Sequence, residues 1–199
     1  NPIWPPDGTQ MGWTSTVGDS DGFLMKSASG LGKEQLVTLT GTNSAMLDWS
    51  RDGTYVLFQS VGGKTASDIY SIRMDGADHT PEVLLQSPFN ETRARFSPDG
   101  RWIAYQSDES GRSEVYVASF KGTAGKWQIS TIGGTDPCWG RDGKELFYLS
   151  ADQRLMSVPV SMAESFVPGT PQPLFRIQTE QSRRRNVFEV SSDGTKFLF

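Results

Sequence analysis

The chain has 199 residues, of which 36% are hydrophobic and 11% aromatic, a composition typical of a globular protein with a packed core. Its net charge of −4, from 19 basic and 23 acidic side chains, lacks the clustered positive charge that binds phosphates, so we expect no nucleic-acid partner. Since no apolar run approaches the roughly 20 residues of a spanning helix, we expect no membrane contact by this segment itself.

One pattern recurs along the chain: a large apolar residue stands three positions before an Asp-Gly pair. The copies are Trp4-Pro-Pro-Asp7-Gly8, Trp49-Ser-Arg-Asp52-Gly53, Phe96-Ser-Pro-Asp99-Gly100, Trp139-Gly-Arg-Asp142-Gly143 and Val190-Ser-Ser-Asp193-Gly194. Successive aspartates are 45, 47, 43 and 51 residues apart. Because aspartate bonds to nearby backbone and glycine accepts a positive φ, each copy predicts a tight turn.

Strand patterns surround each turn. A strand that carries the large apolar residue precedes the turn, and an aromatic-rich strand follows it at 55–60, 102–107, 145–150 and 196–199, with a weaker match at 9–14. Further strands are predicted at 23–26, 68–72, 114–118 and 154–158, and a last one in each copy at 35–39, 82–85, 127–130 and 172–175. Each period therefore holds four short strands.

Four antiparallel strands in roughly 40 to 50 residues match the period of a propeller blade. The predicted fold is all-β: a β-propeller of four-stranded antiparallel blades, with about four blades plus the start of a fifth. The repeats start near residues 4, 49, 96, 139 and 190 of a single domain or propeller fragment, 1–199. We favour part of a larger propeller, able to associate through open blade edges. A small ring closed by the C-terminal strands is the alternative.

Cysteine and histidine are nearly absent. Cys138 is the one cysteine and His79 the one histidine of the sequence. His79 lies in a polar turn, whereas a catalytic histidine needs an orienting partner. Cys138 stands between Pro137 and Trp139 and is interpreted as a core or channel-wall thiol. We therefore predict no catalytic residue, no metal site and no cofactor.

The aspartates of the repeated turns are interpreted as structural: Asp7, Asp52, Asp99, Asp142 and Asp193. They occupy the same position in every copy, as turn chemistry requires. The stretch Asp19-Ser-Asp21-Gly22 lacks the further oxygen ligands of a calcium loop and predicts another turn. The basic run Arg183-Arg184-Arg185 is interpreted as a solvated loop.

The residue just before each large apolar position differs between copies: Asp48, Arg95, Cys138 and Glu189. The innermost strand of a propeller blade can turn polar side chains toward the central channel, and a binding surface needs such variation. We hypothesise a ligand-binding channel face made of Asp48, Arg93, Arg95, Asp136 and Glu189. The alternative is a structural inner ring in which these side chains pair with one another.

The stretch Phe96-Ser-Pro-Asp-Gly-Arg-Trp-Ile-Ala-Tyr, with Glu114-Val-Tyr-Val, resembles the TolB-type, WD40-like β-propeller repeat. The resemblance covers nearly the whole chain. More narrowly, Trp49-Ser-Arg-Asp-Gly and Trp139-Gly-Arg-Asp-Gly-Lys-Glu-Leu-Phe-Tyr resemble the C-terminal propellers of bacterial transmembrane serine/threonine kinases. The resemblance implies an extracytoplasmic or periplasmic location. It is specific for fold and weak for function, because propellers carry unrelated activities.

The sequence favours a non-catalytic scaffold that binds a protein, a peptide or a small-molecule ligand. The kinase resemblance implies the sensor region of a membrane-anchored kinase, although no kinase motif is present in these residues. The alternative is the accessory or gating propeller of a prolyl-oligopeptidase-like hydrolase, or a propeller lyase. No Gly-x-Ser-x-Gly nucleophile elbow is present, so we expect no enzyme activity from the chain by itself.

Overall fold

The computed structural model describes residues 2–61, 66–122, 125–177, 188–191 and 196–198. These residues form strands, turns and loops, and none of them lies in a helix that could cross a membrane. The chain divides into two compact units, Asn1–Ala94 and Arg95–Phe199. The turn predicted at Asp193 and the arginine run at 183–185 lie outside the described residues.

The first sheet of the first unit has three strands. They are β1 (Gln10–Val17), β2 (Ser20–Ser27) and β3 (Gln35–Gly41), hydrogen-bonded in that order. An isolated bridge between Ile3 and Gly12 stands where a fourth, innermost strand would lie. Although the sequence at 9–14 matches the repeat weakly, β1 pairs with β2 along its whole length.

The second sheet has four antiparallel strands in chain order. They are β4 (Ala45–Trp49), β5 (Tyr55–Val61), β6 (Ser67–Arg73) and β7 (Glu82–Leu85). Both sheets of the unit contribute to one hydrophobic cluster, with Phe23 and Met25 from the first sheet and Met46, Val56, Phe58 and Ile72 from the second. Each sheet thus buries its apolar face against its neighbour, as stacked repeats do.

The third sheet, also with neighbours in chain order, contains the boundary between the two units within its first strand. Its strands are β8 (Glu91–Phe96), β9 (Trp102–Ser107), β10 (Glu114–Ser119) and β11 (Lys126–Gln128). The fourth sheet consists of β12 (Gly134–Trp139), β13 (Glu145–Ser150), β14 (Arg154–Ser161), β15 (Val167–Pro168) and β16 (Gln172–Arg176). Both β15 and β16 pair with β14. The strands β17 (Glu189–Val190) and β18 (Phe197–Leu198) pair as a two-stranded sheet.

Aromatic side chains dominate the core of the second unit. Trp102 of β9, Trp139 of β12 and Tyr148 of β13 belong to one buried cluster. Phe166, from the segment between β14 and β15, joins this cluster and is 2% exposed. A separate cluster contains Phe188, which stands just before β17, and residues of the fourth sheet.

The sheet topology confirms the predicted all-β fold of antiparallel, mostly four-stranded sheets. Strands β7, β9 and β13 have the bounds that the sequence pattern predicts. Strand β11 was predicted at 127–130 but ends at Gln128. The reason lies in Ser130, whose hydroxyl accepts a hydrogen bond from the Val115 N–H at 2.8 Å and donates one to the buried Glu114 carboxylate.

Four Asp-Gly turns share one geometry. In each, the glycine N–H donates to the carbonyl three residues earlier, and φ is 63° at Gly8, 78° at Gly53, 70° at Gly100 and 72° at Gly143. This left-handed region favours glycine. In each, the aspartate also accepts the N–H two residues further on, at 2.9 to 3.1 Å. These are the bonds that a structural role for Asp7, Asp52, Asp99 and Asp142 requires.

Candidate ligand-binding face

The residues predicted to face a channel divide between the two compact units. Asp48 on β4 and Arg93 on β8 belong to the first unit, and Arg95, Asp136 and Glu189 belong to the second. The first four are half-buried and Glu189 is exposed. All of them lie on the strands that end at the large apolar residue of their copy.

The second unit brings two of these residues into direct contact. The Arg95 Nη2 donates to the Glu189 Oε1 at 3.0 Å, although the two residues are 94 positions apart in the chain. Arg95 lies on β8 of the third sheet and Glu189 on β17 of the last. Side chains from the innermost strands of separate sheets therefore meet, as side chains that point to a common axis would.

A hydrogen bond joins β12 to β8 at Arg95. The Trp139 indole Nε1 donates to the Arg95 backbone carbonyl at 3.1 Å. Trp139 is 8% exposed, so this hydrogen bond is shielded from water on the indole side. This hydrogen bond holds the backbone of Arg95 in place. It therefore fixes the point from which the Arg95 side chain extends to Glu189.

Backbone irregularities mark the innermost strands. Arg93 has a φ of 56° and Asp136 a φ of 54°, and each stands three residues before the large apolar residue of its copy. Non-glycine residues seldom adopt a positive φ, because it costs backbone energy. Between Thr135 and Cys138 the pairing of β12 with β13 shifts register, which is a bulge that re-aims the side chains around it.

The first unit shows a related irregularity on β4. The pairing with β5 shifts register between Met46 and Asp48, after which Asp48 lies opposite Leu57. The Arg93 N–H lies 3.5 Å from the side-chain oxygen of Gln59, which accepts from it. The aligned repeat position indicated Asp48 as a candidate, and Arg93 was included because it stands near that position in the next copy. The bulges depend on strand pairing and have no sequence signature here.

The one cysteine and the one histidine of the sequence are held in packing and turn contacts. Cys138 is half-buried and packs against the cluster that contains Phe147 and Phe188. The His79 Nδ1 lies 2.8 Å from the Arg73 carbonyl, which must accept from it, so the ring closes the turn after β6. Among the described residues, no group of three or more His, Cys, Asp or Glu side chains is placed to hold a metal ion.

Three carboxylates hold the loops between successive sheets. The sequence assigned Asp21 to a turn, whereas it lies on β2, and it gave no role to Asp68 or Glu114. Asp21 Oδ2 accepts the Ser44 N–H at 2.7 Å, and Asp68 Oδ2 accepts from the Gln86 amide at 3.1 Å. Glu114, 1% exposed, accepts the Gly133 N–H at 2.9 Å as well as the Ser130 hydroxyl. Asp68 and Glu114 occupy equivalent positions at the start of the third strand of their sheets, opposite Ser60 and Ser107. The signal was a repeated acid at that position.

The strand order within each sheet, the repeated turns and, in the second unit, the meeting of innermost strands are those of propeller blades. A sequence profile of the TolB beta propeller domain matches residues 1–168. The chain belongs to the TolB beta propeller domain family. This TolB-family chain is 26% identical to the Tol-Pal system protein TolB of Bordetella pertussis over 122 residues, which cover 61% of the chain and 27% of that protein. The corresponding protein of Bordetella parapertussis is 27% identical over the same length.

The match therefore spans about a quarter of the length of these TolB relatives, 27% in each. Solved structures resemble the TolB-family chain over most of its residues. TolB from Acinetobacter baumannii has a TM-score of 0.74 at 18% identity and covers 99% of this chain and 47% of its own. An oligogalacturonate lyase in complex with manganese has a TM-score of 0.71 at 14% identity, covering 100% and 60%. At these identities the likeness shows the fold alone.

Proposed function

We propose that this chain is a non-catalytic propeller scaffold that binds a protein or peptide partner through the face around Arg95 and Glu189. The observation that carries the proposal is the ion pair between them, since it joins the innermost strands of two sheets at a surface open to solvent. The bulge at Asp136 adds a strained backbone on a neighbouring strand of the same unit.

The exposure of the pair favours binding over a purely structural role. The Glu189 side chain is 54% exposed and that of Arg95 is 20% exposed. Exposed ion pairs contribute about 0 to 1 kcal/mol, so a partner carboxylate can replace Glu189 at little cost. The planar guanidinium offers a fork of donors that fits a carboxylate in bidentate geometry. The face thus suits an acidic group of a partner.

The names of the relatives support a proposal for the partner class. They are named as Tol-Pal system proteins, and we propose that this chain likewise binds a protein of such a system. The family resemblance implies that it acts outside the cytoplasm. The chain by itself carries out no reaction in this proposal.

The domain to which the propeller is attached sets its finer role. We propose the sensor region of a membrane-anchored kinase, which the resemblance of the Trp49 and Trp139 copies implies. A gating propeller of a prolyl-oligopeptidase-like hydrolase, or a propeller lyase, is the alternative. The full-length gene discriminates between them, because a kinase domain and membrane helix before the propeller support sensing and a hydrolase domain after it supports gating.

The binding proposal is tested by titrating the chain with purified Pal of a Tol-Pal system, with calorimetric detection. We expect saturable binding that Arg95→Ala weakens about tenfold, a loss of about 1.4 kcal/mol. The matched control is Arg154→Ala, which removes an exposed arginine paired with Asp152 and should leave binding unchanged.

Two outcomes would contradict the proposal in different ways. If Arg95→Ala binds Pal as tightly as the unsubstituted chain does, the proposed binding face is wrong. If the unsubstituted chain does not bind Pal, the proposed partner class is wrong. Reproducible turnover in a hydrolase and lyase panel would overturn the non-catalytic role.

A further inference from the structure

A cavity of about 310 Å³ lies in the first unit between the Asp7 turn and the Asp52 turn. Its apolar lining includes Pro5, Met25, Trp49 and Met74. Of these, Met25 is 8% exposed and the other three are half-buried. The volume is at the lower end of the range of about 300 to 1,000 Å³ for ligand pockets.

The polar lining of the cavity is exposed and charged. It includes Asp7, Arg51 and Asp52. Hydrogen bonds from the Thr9 N–H and hydroxyl lower the pKa of Asp7. The pKa of Asp52 is lowered by the Ser50 hydroxyl and the Thr54 N–H. Both carboxylates are therefore ionised at neutral pH, and the three charged residues sum to one net negative charge.

The repeats define the equivalent place in the second unit. Met25 pairs with Gly12, five positions after Asp7. Val117 pairs with Ala104, five positions after Asp99, and is therefore the counterpart of Met25. The Met74 N–H donates to the Thr54 carbonyl at 2.7 Å, and the Val160 N–H donates to the Lys144 carbonyl at 2.8 Å. Each acceptor stands two positions after its turn aspartate, so Val160 is the counterpart of Met74. Trp49 and Trp139 are the large apolar residues of their copies.

In the second unit that place is filled by the chain itself. Val117 and Trp139 belong to the buried cluster that contains Phe166, and Val160 packs against it. The Phe166 ring centroid lies 6.1 Å from that of Trp139, and 5.6 and 5.2 Å from those of Trp102 and Trp127. Three residues earlier, the Ala163 carbonyl accepts a hydrogen bond from Arg101 Nη1 at 3.2 Å.

We propose that the cavity of the first unit is a docking pocket for a segment of a partner protein that inserts an aromatic side chain, as 161–168 inserts Phe166 in the second unit. Met25, Trp49 and Met74 correspond to Val117, Trp139 and Val160, whereas Gln10 and Gln35 stand where Trp102 and Trp127 do. The apolar part of the first place is lined by Met25, Trp49 and Met74, and none of its lining residues corresponds to Phe166. This pocket shares no residue with the Arg95 and Glu189 face, so the inference goes beyond the proposed function.

Charge defines the occupant further. Arg101 pairs with Asp99 at 2.7 Å in the second unit, and Thr9 stands at the corresponding position in the first. The first pocket thus has one positive charge fewer beside its turn aspartate. A lysine or arginine two positions before the inserted aromatic residue replaces the missing charge, so the partner segment carries a basic residue close to an aromatic one.

The probe for the pocket is a capped synthetic peptide of residues 161–168 that carries Glu164→Lys. Binding is followed by the NMR signal of the Trp49 indole N–H, assigned with Trp49→Phe. We expect a saturable shift with a dissociation constant on the order of 1 mM or tighter. The same peptide with Phe166→Ala should bind at least tenfold more weakly, and the peptide that retains Glu164 several-fold more weakly. Equal binding of the Phe166→Ala peptide, or no saturable shift, would overturn the proposal.

Protein variants locate the binding. Met74→Trp fills the cavity and should weaken binding at least tenfold, whereas the control Val83→Trp adds the same side chain at an exposed position of β7 and should not. Should Met74→Trp fail to fold, Thr9→Arg restores the arginine of the other unit on an exposed residue and should weaken the lysine peptide several-fold. A Trp49 shift that depends on protein concentration without peptide would make a second copy the occupant and overturn the assignment to a partner protein.

Discussion

Arg95 on β8 and Glu189 on β17 form an ion pair, with the Arg95 Nη2 and the Glu189 Oε1 3.0 Å apart. Their positions in the repeat are equivalent, because each stands one residue before the large apolar residue of its copy. A pair between equivalent positions of non-adjacent repeats places both side chains on the inner side of the sheets. The contribution of the ion pair to the free energy of unfolding distinguishes a role in stability from a role in recognition.

We expect the pair to contribute little to stability. In a double-mutant cycle with Arg95→Ala and Glu189→Ala, the coupling energy should be below about 1 kcal/mol, because Glu189 is largely exposed to water. Urea denaturation of the four proteins provides the measurement. A coupling energy of about 2 kcal/mol or more would show that Arg95 and Glu189 stabilise the fold as part of a structural inner ring, and it would contradict the proposal that they bind a partner.

The Asp-Gly turns should differ in their energetic contribution. Asp99 accepts the Ser97 hydroxyl at 2.6 Å, the Arg101 N–H at 3.1 Å and the Arg101 Nε at 2.7 Å. Asp142 accepts the Lys144 N–H at 3.0 Å, and glycine replaces the serine at position 140. We therefore expect Asp99→Ala to lower the free energy of unfolding by about 1 to 2 kcal/mol, and Asp142→Ala by about half as much.

Urea denaturation of the two variants gives this difference directly. Gly140→Ser is the matched gain-of-bond variant, since its hydroxyl would stand where that of Ser97 does in the third sheet. Its Cβ would lie 3.3 Å from the Glu145 carbonyl oxygen, a contact that requires a small adjustment. An increase of about 0.5 to 1 kcal/mol is expected. Equal losses for both aspartate variants would show that the serine hydroxyl contributes nothing to the turn.

The buried carboxylate of Glu114 should be a larger determinant of stability. Glu114→Ala leaves the Gly133 N–H and the Ser130 hydroxyl without their acceptor in a buried loop, so we expect a loss of about 3 kcal/mol. The matched control is Glu109→Ala, which removes a more exposed glutamate paired with Lys126 and should cost below about 1 kcal/mol. Comparable losses in thermal or urea unfolding would show that Glu114 does not hold the loop.

Local chemistry made much of this fold predictable. Strands β9 and β13 follow Asp-Gly turns and are dense in aromatic and branched residues, so turn and pattern agreed on their bounds. The insertion after β14 was not predictable in the same way. Phe166 is a lone aromatic residue without periodicity, and its burial depends on three tryptophans from β9, β11 and β12. Such a long-range contact has no local signature.

The residues of the candidate face were predictable from the sequence, whereas the contacts that position them were not. Variation at one repeat position indicated Arg95 and Glu189, because a structural rule would have kept that position constant. The bond from the Trp139 indole to the Arg95 carbonyl depends on how two sheets pack and could not be deduced. The same holds for the positive φ of Asp136, because a bulge arises from strand register rather than from residue type.

Alkaline pH should weaken the fold through Tyr148. Burial, with a further contribution from the charge of Glu114, raises the pKa of this phenol from 10.0 to about 12. Between these two pH values the unfolded chain releases the Tyr148 proton and the folded chain keeps it. The free energy of unfolding therefore falls as pH rises through this window, by at most about 1.4 kcal/mol per pH unit, and the full contribution remains below pH 10.

Tyr148→Phe isolates this effect, because phenylalanine has no proton to release. Burial also raises the pKa of Tyr70 and Tyr116, but these groups contribute to the slope of both proteins. Urea denaturation across the window should show a steeper loss of stability for the unsubstituted chain than for Tyr148→Phe. Ultraviolet absorbance should show one fewer late-titrating tyrosinate in the variant. Parallel slopes would mean that Tyr148 ionises in the folded chain as readily as in the unfolded one, and that the packing of β13 does not shield its hydroxyl.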